Sequence, residues 1–397
     1  MAALRGTHPR MRVAVIGAGA GGLVCARELL RVGLVPEVLE ASDRVGGTWV
    51  YDERPQQHGA MYASLRTNLP TDVMAFTDVP FEADRGFPGH AEVLAYLERF
   101  AEPLLPYVRF GRRVESVTQA GDGFAVDGER YDAVAVCTGH YHAPYVPDLP
   151  GLASFGGRVT HSHDYRCPDP FIGRRVALLG AKSSGIDISG ELAEHATVWL
   201  CARDLDDAPH REGIEYRRPI VAIEGQALVL DDGTRIEAVD DLLLCTGYDY
   251  AFGFLDVEGL TIEPKWVHPL WLDFIAVHAP RLAFLGLPFQ VVPFPLMEMQ
   301  ARVFAGQLAG RLAQPSPTQM LAEFEASVAT LEADGVPRRH FFKYGPKQFA
   351  YIDDLARRAG SPPMPTSFRA RYEATGAARR ADPDGYRDAR VGREQSE

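Results

Sequence analysis

The sequence predicts an α/β fold built from two Rossmann-like dinucleotide-binding domains, one inserted into the other. Three observations carry this. Gly17-Ala18-Gly19-Ala20-Gly21-Gly22 fits Gly-x-Gly-x-x-Gly, and Gly180-Ala181-Lys182-Ser183-Ser184-Gly185 is a degraded copy with Lys182 at the middle glycine. Each loop stands between an apolar run of strand length and a helical pattern. An apolar stretch ending in Cys-Thr-Gly follows each loop, at Tyr131 to Gly139 and again at Val239 to Gly247.

Arg12 to Ile16 is a short β-branched run suited to a buried parallel strand. Leu23 to Val32 follows with Leu23, Ala26, Leu29 and Leu30 on one helical face. Glycine is needed between them because the backbone must approach a pyrophosphate closely, and the helix N-terminus then offers it free N–H groups. Arg174 to Leu179 repeats the strand and Ile186 to Ala193 the helix. A lone Gly-x-Gly-x-x-Gly is weak, but one in this context is strong; the bland alternative is a glycine-rich turn without a ligand.

The residues past each loop tell the two sites apart. Eighteen positions beyond Gly22 stands Glu40, after Val38-Leu39. A carboxylate there accepts hydrogen bonds from ribose hydroxyls and repels a 2′-phosphate. Eighteen positions beyond Gly185 stands Arg203, whose charge and fork suit a 2′-phosphate. The second loop therefore reads as an NADPH site. Asp204, Asp206 and Asp207 weaken the local positive field, and a solvated surface arginine is the competing reading. The expected architecture is a nicotinamide domain inserted within a flavin domain. The expected segments are 1–151 and 250–314 for the flavin domain, 152–249 for the insertion, 315–375 for a helical and aromatic extension, and 376–397 for a disordered tail.

Between the loops lies Phe155-Gly156-Gly157-Arg158-Val159-Thr160-His161-Ser162-His163-Asp164-Tyr165. With it the chain resembles the flavin-containing monooxygenases: Phe155, Gly157, His161 and Tyr165 match that family's identifying run, with Arg166 where the family often has lysine. Gly46-Gly47-Thr48-Trp49, Leu65-Arg66-Thr67-Asn68-Leu69-Pro70, Phe87-Pro88-Gly89-His90, Cys245-Thr246-Gly247-Tyr248 and Glu298-Met299-Gln300 match too. The similarity runs from about Val13 to about Gly310. Lys182 departs from the family's loop, and its ammonium could contact a phosphate directly.

The resemblance implies a mechanism. NADPH reduces FAD, O₂ adds to give a C4a-hydroperoxyflavin, and a soft nitrogen or sulfur nucleophile takes the distal oxygen. Water must be excluded, because a solvated adduct collapses to peroxide. Asn68 is the implied catalytic residue, its amide able to donate and accept at once; the alternative is a turn residue before Pro70. The FAD contacts implied are Gly17, Gly19, Gly21, Gly22, Glu40, Thr48, Trp49, Thr67, Asn68, Leu69, Val114, Gly139 and Gln300. Those for NADPH are Lys182, Ser183, Ser184, Gly185, Arg203, Thr246 and Gly247. Trp49 reads equally as a half-buried core aromatic. His161 and Tyr165 read as structural residues at the domain junction.

Bulk properties agree. A chain of 397 residues holds two sizeable cores, and 46% hydrophobic with 24% charged residues is ordinary for a globular protein. A net charge of −12 argues against a nucleic-acid groove. No apolar run reaches membrane-spanning length, so the cytoplasm is the expected location. A small molecule and O₂ are the expected partners, with a homodimer left open. Cys25, Cys137, Cys167, Cys201 and Cys245 include no Cys-x-x-Cys, which argues against a disulfide reductase. A Baeyer–Villiger enzyme is an alternative, although its related run ends in tryptophan where this chain has Tyr165. An uncoupled flavin NADPH oxidase is another, kept open by Lys182. Near the C-terminus, Thr318 to Asp334 has helical spacing with Thr318 as expected cap, Phe341 to Ala359 is aromatic-rich, and the stretch from Gly376 reads as mobile. Pro288 to Met297 is expected to line an apolar substrate pocket.

Overall fold

The computed structural model describes residues 11–55, 59–82, 86–205 and 208–389. The chain divides into two compact units. The first comprises Met1–Trp49, Asn68–His140 and Tyr250–Glu373; the second comprises Val50–Thr67, Tyr141–Asp249 and Ala374–Glu397. The second unit thus also takes in residues 50–67, 141–151 and 374–397, which the sequence reading placed in the flavin domain, the extension and the tail.

In the first unit β1 (Arg12–Ile16) pairs in parallel with β2 (Val35–Leu39) and with β4 (Ala133–Val136), and β2 pairs with β3 (Val108–Arg109). Val13, Ala14 and Val15 are wholly buried, as a strand covered on both faces must be. Helix α1 (Ala20–Arg31) begins inside the glycine loop, three residues before the apolar periodicity starts. Gly21 and Gly22 each cost a helix about 1 kcal/mol. Burial of Leu23, Val24 and Leu29, about 1.5–3 kcal/mol apiece, outweighs that cost. Helix α2 (His90–Ala101) places Val93, Tyr96 and Leu97 in the same core.

The second unit repeats the plan. Its five-stranded sheet runs β8 (Ile214–Arg217), β7 (Thr197–Cys201), β6 (Arg175–Leu179), β9 (Asp241–Leu244) and β5 (Arg158–His161), every pairing parallel. Helix α3 (Ser183–Ala193) follows β6 and also starts within its loop.

Returning to the first unit, β10 (Leu270–Trp271), β11 (Ile275–Ala276) and β12 (Leu282–Phe284) complete a seven-stranded sheet of order β10-β11-β12-β4-β1-β2-β3. Helix α4 (Pro293–Leu308) packs on α1 in the common core. Val292, Phe294 and Leu296 are buried there, with the Phe294 ring stacked 5.1 Å from that of Phe76. The segment expected to line a substrate pocket is therefore largely core: proline at the first turn starts a helix and turns these side chains inward.

Helix α5 (Pro317–Ala333) is capped by Ser316, not Thr318. Its hydroxyl accepts from Gln319 N at 3.3 Å, and the Gln319 side chain accepts from Ser316 N at 2.9 Å. Helix α6 (Gln348–Arg358) buries Phe349, Ile352 and Leu355. Helix α7 (Thr366–Ala381) crosses the boundary expected at residue 375, and Tyr386 beyond it is buried, so the tail expected to be mobile from Gly376 is folded as far as Ala389. Residues 390–397 lie outside the described residues.

Candidate dinucleotide sites

The first loop is shaped by steric exclusion. Gly17 holds φ +102°, where only glycine is unstrained, and its N–H donates to Leu39 O at 2.8 Å. A Cβ on Gly22 would lie 1.8 Å from Gly17 O. One on Gly47 would lie 2.9 Å from Gly19 Cα, so the second glycine pair keeps two backbones in contact. Met297, read from the sequence as the end of a pocket-lining segment, instead reaches the loop: its Sδ lies 3.1 Å from where a Gly21 Cβ would stand.

This cradle fits the dinucleotide that the sequence implies. The N-cap of α1 is Gly19, without a side-chain cap or an acidic residue in the first turn, so its N–H groups suit an anionic pyrophosphate. Glu40 is fixed as an acceptor: Oε2 takes Ala18 N at 2.6 Å, and Oε1 takes Ser42 N and Ser42 Oγ at 2.8 Å each. Thr48 Oγ1 is buried without a hydrogen-bond partner, a polar atom that a bound cofactor would satisfy. Trp49 is half-buried with its ring edge-on to Phe294 at 6.4 Å, which agrees with the core-aromatic reading without excluding the other. Val114 is buried, and Gly139 follows β4 at φ +69°.

The residues implied near the flavin ring divide. Thr67 is buried and is the last residue of its segment of the second unit; Asn68 and Leu69, both half-buried, open the next segment of the first. The helical turn Thr71–Met74 has Pro70 at its cap position, so Asn68 is not its N-cap. Gln300 is fully buried: Oε1 accepts from Gly286 N at 2.9 Å and Nε2 donates to Tyr351 OH at 3.2 Å. Tyr351 OH in turn donates to Leu272 O at 2.6 Å. Beside it Tyr344 OH donates to Asp273, whose carboxyl is pushed up to about 6 by its enclosure.

The second loop repeats the first. Gly180 sits at φ +113°, and a Cβ on Gly185 would lie 1.9 Å from Gly180 O. Lys182 is the N-cap of α3 at φ −105°, an extended conformation open to any residue, so the departure leaves the turn unstrained. Its ammonium reaches the solvent side, 3.2 Å from Asp204. Ser183 and Ser184 form the first helical turn, and no acidic residue occupies it. Arg203 is exposed two residues past β7; Asp206 and Asp207 lie outside the described residues. Thr246 Oγ1 donates to Tyr145 O, and Gly247, at φ +78°, offers its carbonyl to His161 Nε2 at 3.1 Å.

The run that carried the resemblance is tied down by hydrogen bonds within its own unit. His161 Nδ1 accepts from His163 N at 3.0 Å, and Tyr165 OH donates to Glu191 at 2.8 Å. Arg166, which the sequence reading did not place, is buried and donates to the carbonyls of Asp52, Gly59, His163 and Tyr165 at 2.8–2.9 Å. All five cysteines are free thiols. Burial holds Cys137 well above its ordinary range and pushes Cys201 and Cys245 up to about 12, so these remain protonated and unfit for thiol–disulfide exchange.

Two glycine cradles of this shape invite comparison with known proteins. The flavin-binding monooxygenase-like family model matches residues 10–206 and 204–369. The chain belongs to this family. It is an oxidoreductase, a flavin-containing monooxygenase with FAD and NADPH as cofactors. It is 37% identical to flavin-containing monooxygenase FMO GS-OX-like 4 of Arabidopsis thaliana, over 95% of this chain and 93% of that one. The solved structure of S-allyl-L-cysteine S-oxygenase from Allium sativum is 36% identical and superposes with a TM-score of 0.89, covering 95% of each chain. A cyclohexanone monooxygenase shares the fold at 17% identity and a TM-score of 0.64, over 88% of this monooxygenase and 98% of that enzyme. Among the described residues no helix is long and apolar enough to cross a membrane.

Proposed function

We propose that this monooxygenase uses NADPH and O₂ to oxygenate a soft nucleophile of a small molecule, with a thioether sulfur as the favoured centre. The observation that carries the choice of sulfur is the likeness to an S-oxygenase over 95% of both chains at 36% identity. Bound FAD would supply the oxygen-transfer chemistry.

The protein's own part is holding, orienting and excluding water. The α1 N-terminus and Glu40 would hold the FAD pyrophosphate and ribose, while Thr48 Oγ1 offers an unused polar atom. Asn68 would position the reacting oxygen with an uncharged amide, which donates without transferring a proton. The α3 N-terminus would hold the NADPH pyrophosphate, and Arg203 the 2′-phosphate. The cysteines have no role in the reaction. A cytoplasmic setting suits the free thiols and the NADPH supply.

The test is NADPH consumption in the presence of an alkyl thioether, a tertiary amine or a cyclic ketone, with peroxide measured in parallel. Sulfoxide formed one-for-one with NADPH is expected. Lactone from the ketone as the main product would move the chain to the Baeyer–Villiger class, and peroxide alone would make it an oxidase.

Arg203 carries a separate expectation. Removing a bidentate phosphate contact costs about tenfold or more in affinity. Arg203→Ala should therefore raise KM for NADPH by about that factor while leaving KM for NADH unchanged, read from steady-state flavin reduction. An equal effect on both cofactors would show that Arg203 does not contact the 2′-phosphate.

A further inference from the structure

Helix α3 carries an acidic residue close to the end that is read as binding an anion. Its first turn, from Ser183, holds none. Asp187 opens the next turn, about 6 Å further along the axis. Every Cα–Cβ bond of an α-helix tilts toward the N-terminus, so this carboxylate leans back toward the loop. A negative charge there competes with a phosphate for the positive end of the helix and repels it. Water shields it little, because the Asp187 side chain is only 14% exposed.

A cation distant in sequence meets that charge. Arg387 Nη2 pairs with Asp187 Oδ2 at 2.9 Å, and the arginine side chain is itself 15% exposed. The head is held in place by a second bond, from Nε to Thr67 O at 3.1 Å, and the Arg387 carbonyl accepts from Arg66 at 3.0 Å. Tyr62 OH donates to the same Asp187 oxygen at 3.3 Å, but burial keeps this phenol protonated, so it brings a hydrogen bond without a charge. Arg211 also reaches α3, donating to Ile186 O at 2.6 Å, and its own charge is met by Asp384. All of these residues belong to the second unit.

We propose that Arg387 sets the affinity for the nicotinamide cofactor by neutralising Asp187, which leaves the positive end of α3 to the cofactor's pyrophosphate. The proposal rests on the reading of the second loop as the NADPH site. Arg387 acts through Asp187 and does not itself touch the nucleotide. The pyrophosphate is common to NADPH and NADH, so the effect falls on both alike. The effect expected of Arg203 differs, because it concerns the 2′-phosphate alone.

The experiment compares wild type, Arg387→Ala, Arg387→Gln, the double variant Arg387→Ala with Asp187→Asn, and Gly185→Ala as full-length, FAD-loaded proteins. Dissociation constants for NADP⁺ are measured by equilibrium dialysis, and KM for NADPH and for NADH by flavin reduction, alongside FAD content and thermal midpoint. An uncompensated charge one helical turn from a phosphate, at an effective dielectric between those of protein and water, is worth about tenfold in affinity. Arg387→Ala is therefore expected to weaken NADP⁺ binding and to raise both KM values by about that factor, at unchanged FAD content. Arg387→Gln removes the same charge with less loss of volume, and answers the question if the alanine variant does not fold. The double variant removes both charges and is expected to bind NADP⁺ within about twofold of wild type, even if its thermal midpoint stays low. Unchanged NADP⁺ affinity in the single Arg387 variants overturns the proposal. So does a loss that the double variant fails to restore, which would make Arg387 a tether only, or a loss confined to NADPH. If Gly185→Ala abolishes NADP⁺ binding while the Arg387 variants do not weaken it, only this proposal falls; if Gly185→Ala binds NADP⁺ as wild type does, the parent reading of the second loop falls with it.

Discussion

Gly22→Ala is expected to yield protein without FAD. The new methyl would stand 1.8 Å from Gly17 O and 2.9 Å from Gly17 C, both backbone atoms of the turn that must cradle the pyrophosphate. No rotamer change relieves a backbone overlap, so either α1 moves away from β1 or the loop opens. Each outcome removes the N–H groups from the phosphate. Gly33→Ala is the control: Gly33 also has positive φ, at +87°, but nothing lies within 4 Å of its Cβ position. It should cost about 1 kcal/mol and keep the yellow colour. Gly185→Ala should do to the second loop what Gly22→Ala does to the first, leaving a yellow protein that NADPH no longer reduces. The visible flavin spectrum of the purified variants reads all three, and a Gly22→Ala protein with wild-type FAD content would refute the argument.

The second large effect is expected at Glu298. This carboxylate is completely buried in the first unit and accepts four hydrogen bonds: from Arg27 at 2.7 Å, Arg302 at 2.6 Å, Thr77 N at 2.7 Å and Thr77 Oγ1 at 2.9 Å. Glu28 lies in the same network, its carboxyl raised by burial against the pull of Arg27, Arg31 and Arg302. Glu298→Ala removes the acceptor, leaves the Thr77 N–H without it, and leaves Arg27 and Arg302 to share the charge of Glu28 and, for Arg27, Asp78. Losing one partner of such a buried pair costs about 3–5 kcal/mol, whereas an exposed pair is worth under about 1 kcal/mol. The thermal midpoint should fall by roughly 5–10 °C. A shift within 1–2 °C would show that the network contributes no more than a surface pair. Glu298→Gln should fall between, since the neutral amide keeps one acceptor.

These two sites show which parts of the molecule can be read from sequence. The glycine loops were legible because a backbone conformation and a close approach each demand glycine, so the requirement is written in residue type. The position of the helices within them was not: α1 and α3 start at Ala20 and Ser183, before any apolar periodicity, because tertiary packing overrides glycine's poor propensity. Glu298 belonged to a recognisable motif, yet nothing in its spacing from Arg302 distinguishes a buried network from a solvated helix face. The fold of residues 376–389 was hidden for the same reason. Arg387 and Asp388 look like tail composition, and their partners Asp187 and Arg66 lie far away in sequence. Glu40 and Arg203, by contrast, could be placed by counting, since a strand of fixed length follows each helix; the structure puts Glu40 against the loop and leaves Arg203 exposed.

The central claim is that this protein passes one atom of O₂ to a soft nucleophile at the expense of NADPH. It is tested most directly by labelling. FAD-loaded protein, one equivalent of NADPH and an alkyl thioether are mixed under ¹⁸O₂, and the products are weighed by mass spectrometry. One ¹⁸O in the sulfoxide for each NADPH oxidised, with the second atom leaving as water, is the predicted result. Labelled hydrogen peroxide equal to the NADPH consumed, with the thioether untouched, would contradict it.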